Sequence, residues 1–235
     1  MEFTMKKMRS VLALSVLLNA QVAFSSEHEA AKAPSPPALQ LLLDGNKQFA
    51  QKGEVKHLDN MVSVQRRTEL ALGQKPFAVV IACSDSRVAP ELLFDKGLGE
   101  IFVVRVAGNI VGPHELGSIE YAVEHLGVKF VMVLGHERCG AVTATYDAHL
   151  AGSKVEGNIG SLVASIDPAV TATLSHGATG QKGELIEKCT LENIRLVAEE
   201  IEARSPIMKE SVEKGNVQLV KAYYDLDDGT VTIIK

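Results

Sequence analysis

Apolar runs of strand length constrain this chain more than any other feature. Phe77 to Ala82 and Phe130 to Leu134 contain no polar residue, and Ile101 to Val106 and Val217 to Tyr224 are mainly apolar. Short runs of this kind suit strands that are covered on both faces, as in a parallel sheet layered between helices. Helical patterns separate them, at Pro90 to Lys96, Glu115 to Leu126, Ala141 to Ala151 and Leu191 to Ala203. The alternation predicts an α/β fold with a mostly parallel central sheet of four strands flanked by helices. After the Asp227-Asp-Gly229 turn, Thr230 to Ile234 is expected to add an antiparallel C-terminal edge strand. At 235 residues, 46% hydrophobic and 23% charged, the chain can bury a full core, and residues 38–235 are read as one domain.

Chemistry-bearing residues follow two of these runs. Cys83-Ser-Asp85-Ser-Arg87 comes after the first, and His136-Glu-Arg-Cys139 comes after Phe130 to Leu134. Both therefore fall just beyond the C-terminal ends of strands, the side on which open α/β sheets place ligands. Two thiolates, an imidazole and a carboxylate make a four-coordinate set for Zn²⁺. Arg87 lies two residues past Asp85 and competes with the metal for its carboxylate. If Asp85 pairs with Arg87, a zinc position opens to water and the site becomes catalytic instead of structural.

These residues resemble the β-class carbonic anhydrases, whose C-x-D-x-R and H-x-x-C motifs appear here as Cys83 to Arg87 and His136 to Cys139. Phe77 to Cys83, Phe102 to Asn109, Gly117 to Val123 and Val133 to His136 also look like core segments of that family. The resemblance runs from about Leu39 to the C-terminus and is weakest between Gly152 and Gly183. It implies one zinc ion per subunit on Cys83, His136 and Cys139, with Asp85 as the exchangeable fourth ligand and Arg87 as its partner. It implies reversible hydration of CO₂ to bicarbonate by zinc-bound hydroxide, with Asp85 and Arg87 as the catalytic pair. An Asp85 that returns to the metal in acid would shut the activity off.

Gln74, Phe102 and Tyr121 fall where plant-type members keep substrate-pocket residues, and Gly140 offers a backbone N–H to an anion. A second subtype holds inhibitory bicarbonate in a pocket that needs a Trp. Val80 stands in that place and the chain has no Trp, although Arg105 matches that pocket's arginine. The expectation is a plant-type enzyme without bicarbonate shut-off.

Two other functions share these residues. One is a related zinc hydrolase acting on another small molecule such as carbon disulfide, and the other is a non-catalytic zinc-binding protein. A Cys83–Cys139 disulfide would leave His136, Asp85 and Arg87 without a purpose. Cys189 reads as a bystander, and His114, His149 and His176 as surface or satisfied core histidines, while His125 is open to a proton-relay role. Gly108-Asn-Ile-Val-Gly112 lacks the lysine of a phosphate loop and reads as a tight turn. The net charge of −5 and the absence of a basic run beyond the extreme N-terminus argue against a nucleic-acid partner.

The N-terminus reads as a separate object. Lys6, Lys7 and Arg9 lead into the apolar Val11 to Leu18, and small residues follow at Ala23 and Ser25. Residues 1–25 are thus expected to be a signal peptide for export, to a bacterial periplasm, with no membrane association after its removal. Residues 26–37 would form a flexible leader, and Ser35-Pro-Pro would start a helical arm bearing Leu39, Leu42, Leu43 and Phe49. In the family such arms lie across a partner, so a homodimer is expected, with a tetramer as the next assembly. Gly152 to Gly183, broken by glycines and Asp167-Pro168, is expected to be a helix–loop insertion on the surface.

Overall fold

The computed structural model describes residues 37–53 and 61–235. The signal-peptide reading, nearly all of the leader and the Ser35 helix start lie outside the described residues. Helix α1 (Ala38–Lys52) opens the described fold, with Pro37 at its N-cap. Then follow α2 (Val64–Leu70), β1 (Ala78–Ala82), α3 (Pro90–Leu93), β2 (Ile101–Arg105) and a 3₁₀ turn at Ala107–Asn109. Next come α4 (Pro113–Glu124), β3 (Phe130–His136), α5 (Gly140–Ala151), α6 (Ile159–Ser175), α7 (Lys182–Arg204), α8 (Pro206–Glu213), β4 (Gln218–Tyr224) and β5 (Val231–Ile234).

The strands form one sheet in the order β2-β1-β3-β4-β5. The first three pairings are parallel and β4 with β5 is antiparallel, which is the expected α/β architecture with its antiparallel edge. Every residue of β1 and β3 is buried, as strands covered by helices on both faces require. One apolar layer joins Val79, Ile81, Val131 and Val133 to Ile119, Ile194 and Ile201 of the helices. The other joins Val80, Met132 and Leu134 to Leu42, Leu93 and Phe94.

Several boundaries differ from expectation for local reasons. Strand β3 runs on to His136, so that ligand ends the strand instead of following it. Helix α3 stops at Leu93 because Asp95 takes a left-handed backbone, φ 49°. The N–H of Lys96 donates to the Glu91 carbonyl (2.8 Å) and that of Asp95 to Leu92 (3.2 Å), a Schellman pattern with Asp in the glycine position. Helix α7 begins nine residues before the expected Leu191, where Glu184 Oε2 accepts from the Gln181 N–H (3.1 Å).

The largest correction concerns Gly152 to Gly183. Its middle is the 17-residue helix α6, which carries Pro168 within it and buries Ile166, Ala169 and Val170. Ile166 and Val170 join Cys83, Cys139, Val142 and Cys189 in a third apolar cluster, so the segment backs the loops that carry Cys83 and Cys139 and is not a surface insertion. No helix among the described residues is long and apolar enough to cross a membrane.

Helix α1 is also covered by its own chain. Its buried positions are Leu42, Gly45 and Asn46. Asn46 donates to the carbonyls of Gly229 (2.9 Å) and Leu93 (3.3 Å) and accepts from the N–H of Val231 (2.8 Å). Gly45 allows the helix to sit this close, since a Cβ there would lie 1.7 Å from the Phe94 carbonyl oxygen. Backbone cannot yield as a side-chain tip can. Gly45→Ala is therefore expected to destabilise the protein by about 3 kcal/mol, at the upper end for overpacking. Thermal melting against the parent protein checks this, and an unchanged melting temperature would contradict the packing described.

Candidate metal centre

β1 and β3 are adjacent and parallel, so the residues at their C-terminal ends emerge side by side. Cys83 follows β1 directly, and His136 closes β3. The chain must then turn sharply to bring Cys139 back to the same point. It does so through Arg138, whose left-handed backbone (φ 50°) a non-glycine residue seldom adopts. Arg138 is held there by its guanidinium, which donates to Asp227 (2.6 and 3.2 Å) and pairs with Glu137 (3.0 Å). Cys139 then serves as N-cap of α5.

The result is a buried trio. Sulfur or nitrogen donors of Cys83, His136 and Cys139 lie within 4.8 Å of one another, and the residues are 4%, 0% and 1% exposed. The two sulfurs stand 4.0 Å apart and both cysteines are free, so no disulfide joins them. Two sulfurs each about 2.3 Å from one tetrahedral zinc would be separated by about 3.8 Å. His136 Nδ1 lies 2.8 Å from the Glu137 carbonyl, which fixes Nδ1 as the protonated nitrogen and leaves Nε2 with a lone pair. That Nε2 is buried and has no hydrogen-bond partner among the described residues. An orphaned buried acceptor beside two sulfurs is costly unless a cation uses it. These donors fit zinc.

Cys83 is the more anionic of the two sulfurs. Its hydrogen bond with Cys139 pulls its pKa down most, and the nearby His136 imidazole and the N–H groups of Gly108 and Asp85 act in the same direction against burial. The N–H of Gly108 (3.3 Å) and that of Asp85 (3.4 Å) both donate to its Sγ. Cys139 is pushed up by the same shared hydrogen bond and by burial.

Asp85 stands beside the trio with its carboxylate turned to Arg87. Arg87 donates from Nε to Oδ1 (2.9 Å), from Nη2 to Oδ2 (2.7 Å) and from its backbone N–H to Oδ1 (3.0 Å). These bonds hold the carboxyl well below the usual carboxylate range. Oδ2 lies 4.0 Å from His136 Nε2, so the carboxylate faces the point where the ligand atoms converge. The loop itself is pinned by Arg105, which donates from Nε to the Cys83 carbonyl (3.0 Å) and from Nη2 to that of Asp85 (2.7 Å).

The remaining predicted site residues divide. Gly140 is the first residue of α5, next to Cys139, and its missing Cβ faces open space. Phe102 pairs with Val79 at the start of β2, four residues and so about 13 Å of strand before the level of Cys83. Gln74 is exposed before β1, where it lines a 450 Å³ surface cavity with Arg66, Leu70 and Gly99. Tyr121 is 48% exposed on α4, its ring 5.2 Å from that of His125. A single chain therefore leaves Gln74 and Phe102 at the opposite end of the sheet from the cysteines. Asn193, which bonds the Gly108 carbonyl, escaped the sequence reading. Its signal was an amide on the mainly apolar face of Ile186, Cys189, Ile194 and Val197.

Known proteins agree with this geometry. The carbonic anhydrase family model matches residues 78–231. "Carbonic anhydrase 2" of Mycobacterium tuberculosis is 38% identical over 196 residues, covering 83% of this chain and 91% of its own. A Coccomyxa β-carbonic anhydrase solved with acetazolamide superposes with a TM-score of 0.65 at 26% identity, covering 85% and 87% of the two chains. One of two tetrameric β-carbonic anhydrases from Sordaria macrospora shares the fold, with a TM-score of 0.66 at 22% identity over 83% and 96%. With the motifs, the sheet and the buried trio in agreement, the chain belongs to the carbonic anhydrase family, in its β class.

Proposed function

We propose that this protein hydrates CO₂ reversibly to bicarbonate and a proton, with one zinc ion held by Cys83, His136 and Cys139. The observation that carries the reading is the buried trio of soft and imidazole donors beside a carboxylate already satisfied by arginine. A closed structural site has no use for such a carboxylate. Zinc supplies an acidified water; in a carbonic anhydrase with three histidine ligands that water has a pKa of about 7, a value that belongs to that enzyme and not to this chain.

The chain's own residues do the rest. Asp85 Oδ2 accepts the hydrogen of the reacting water and so orients it, while Arg87 keeps the carboxylate ionised and off the metal. Glu137 fixes His136 through its carbonyl, and Gly140 presents a backbone N–H at the start of α5 to the bicarbonate anion. Ile110 and Val142 share an apolar cluster with both cysteines, which suits an apolar substrate. Gln74, Phe102 and Tyr121 complete the substrate pocket from a second copy in a homodimer; the strand register, with Phe102 opposite Val79 and not near Cys83, supports this reading for Phe102. A tetramer, the state described for the Sordaria macrospora proteins, is compatible with this. Arg105 is engaged by two carbonyls, which supports the plant-type reading without a bicarbonate switch. Export, read from residues 1–25, belongs to the same proposal.

Stopped-flow CO₂ hydration, with zinc measured on the same sample, tests it. Activity is expected to track zinc content, to vanish after chelation and to return on adding zinc back. Zinc-loaded protein that cleaves carbon disulfide but leaves CO₂ at the uncatalysed rate would replace this reading with a related hydrolase.

A further inference from the structure

Gly108 touches the ligand cluster without offering it a side chain. Its N–H donates to Cys83 Sγ, its backbone is left-handed (φ 73°), and a Cβ there would meet Ile166 Cδ1 at 2.5 Å. The left-handed backbone favours glycine, and glycine has little conformational preference of its own. Something else must hold the N–H on target. The Gly108 carbonyl accepts a hydrogen bond from Asn193 Nδ2 at 2.8 Å, across 85 residues of sequence. Asn193 is 2% exposed on α7, where an amide in an apolar stripe is unfavourable unless it is bonded.

We propose that Asn193 is a positioning residue for the metal centre: by anchoring the Gly108 carbonyl, it keeps the Gly108 N–H aimed at Cys83 Sγ and so sets the orientation and donor strength of that sulfur. The inference rests on the reading that Cys83, His136 and Cys139 hold zinc. An N–H bonded to a thiolate withdraws charge from it, which lowers the energy of the sulfur lone pair. The 3₁₀ turn holds the same peptide from its other side, through the Asn109 N–H on the Val106 carbonyl (2.9 Å). Without the Asn193 anchor that peptide keeps one of its two bonds, and the Gly108 N–H loses its aim. Cys83 then becomes a more electron-rich and less well-placed ligand. Hydrogen bonds outside a metal's direct ligands are generally worth about 10–100-fold in affinity or activity.

Cobalt in place of zinc makes the sulfur visible through its sulfur-to-cobalt charge-transfer band. The variants are Asn193→Leu, of similar bulk without a donor, and Asn193→Ser, a smaller change that the core tolerates more readily. Thr190→Val is the control: it lies on the same buried face, but its hydroxyl bonds only the Ile186 carbonyl of its own helix (2.9 Å). Both Asn193 variants are expected to shift the band to longer wavelength and to release zinc to a chelator roughly tenfold faster. Thr190→Val should do neither. Asn193 variants with the parent's band and release rate, but a lowered melting temperature, would reduce Asn193 to a core residue and overturn the proposal. A parent protein that takes up no cobalt would instead overturn the metal reading itself.

Discussion

Cys83→Ala protein is expected to purify without zinc and to hydrate CO₂ no faster than buffer alone. Three donors hold the metal in this reading, and the one removed is the sulfur that collects two backbone N–H groups. The pair left behind, His136 and Cys139, cannot supply the coordination that zinc sites require. Enzymes generally accelerate their reactions by about 10⁶-fold or more, and loss of the metal forfeits that whole factor. The fold should survive, because β1 ends before Cys83 and its core contacts are made by Ala78–Ala82. Circular dichroism, metal analysis and stopped-flow on one sample separate these effects. Full activity in a folded, zinc-free Cys83→Ala protein would end the assignment, and His136→Ala should behave the same way.

Asp85→Asn separates the carboxylate from the metal. Zinc content should stay near one per chain, because the carboxylate is turned to Arg87 and the three donors are untouched. Turnover should fall about 10²–10⁴-fold, the range associated with a positioned acid or base. The amide has one oxygen where the carboxylate has two, so it cannot accept from both Nε and Nη2 of Arg87 and still offer an acceptor to the reacting water. Arg87 then loses its partner as well. Near-parental turnover with zinc bound would show that Asp85 is a structural group only.

The sequence exposed those features that rest on local pattern. Apolar runs, two of them uninterrupted, revealed the strands of the sheet, and the motif residues at the ends of two runs revealed the trio. Where the fold departed from expectation, the cause was either tertiary packing or a local cap in an unusual conformation. Glycines and Pro168 made residues 152–183 look broken, yet Ile166 and Val170 repeat at a helical interval and find a buried surface on α5 and α7. Asp95 ended a helix in a conformation usually left to glycine. The interval from Cys83 to Asn193 carries no local signal at all, because the bond between α7 and Gly108 exists only once the sheet has closed. The same holds for Gln74 and Phe102, whose distance from Cys83 becomes visible only with the strand register.

Asn46 bonds residues 183 and 185 positions away, at Gly229 and Val231. A chain made at about 5–20 residues per second therefore needs roughly 10–40 s of further synthesis before those partners exist. Until then only the Leu93 carbonyl, 47 positions on, is available to this side chain. Helix α1 can thus meet Leu93 and Phe94 early, while two of the three Asn46 bonds wait for the final hairpin, which acts as the latch.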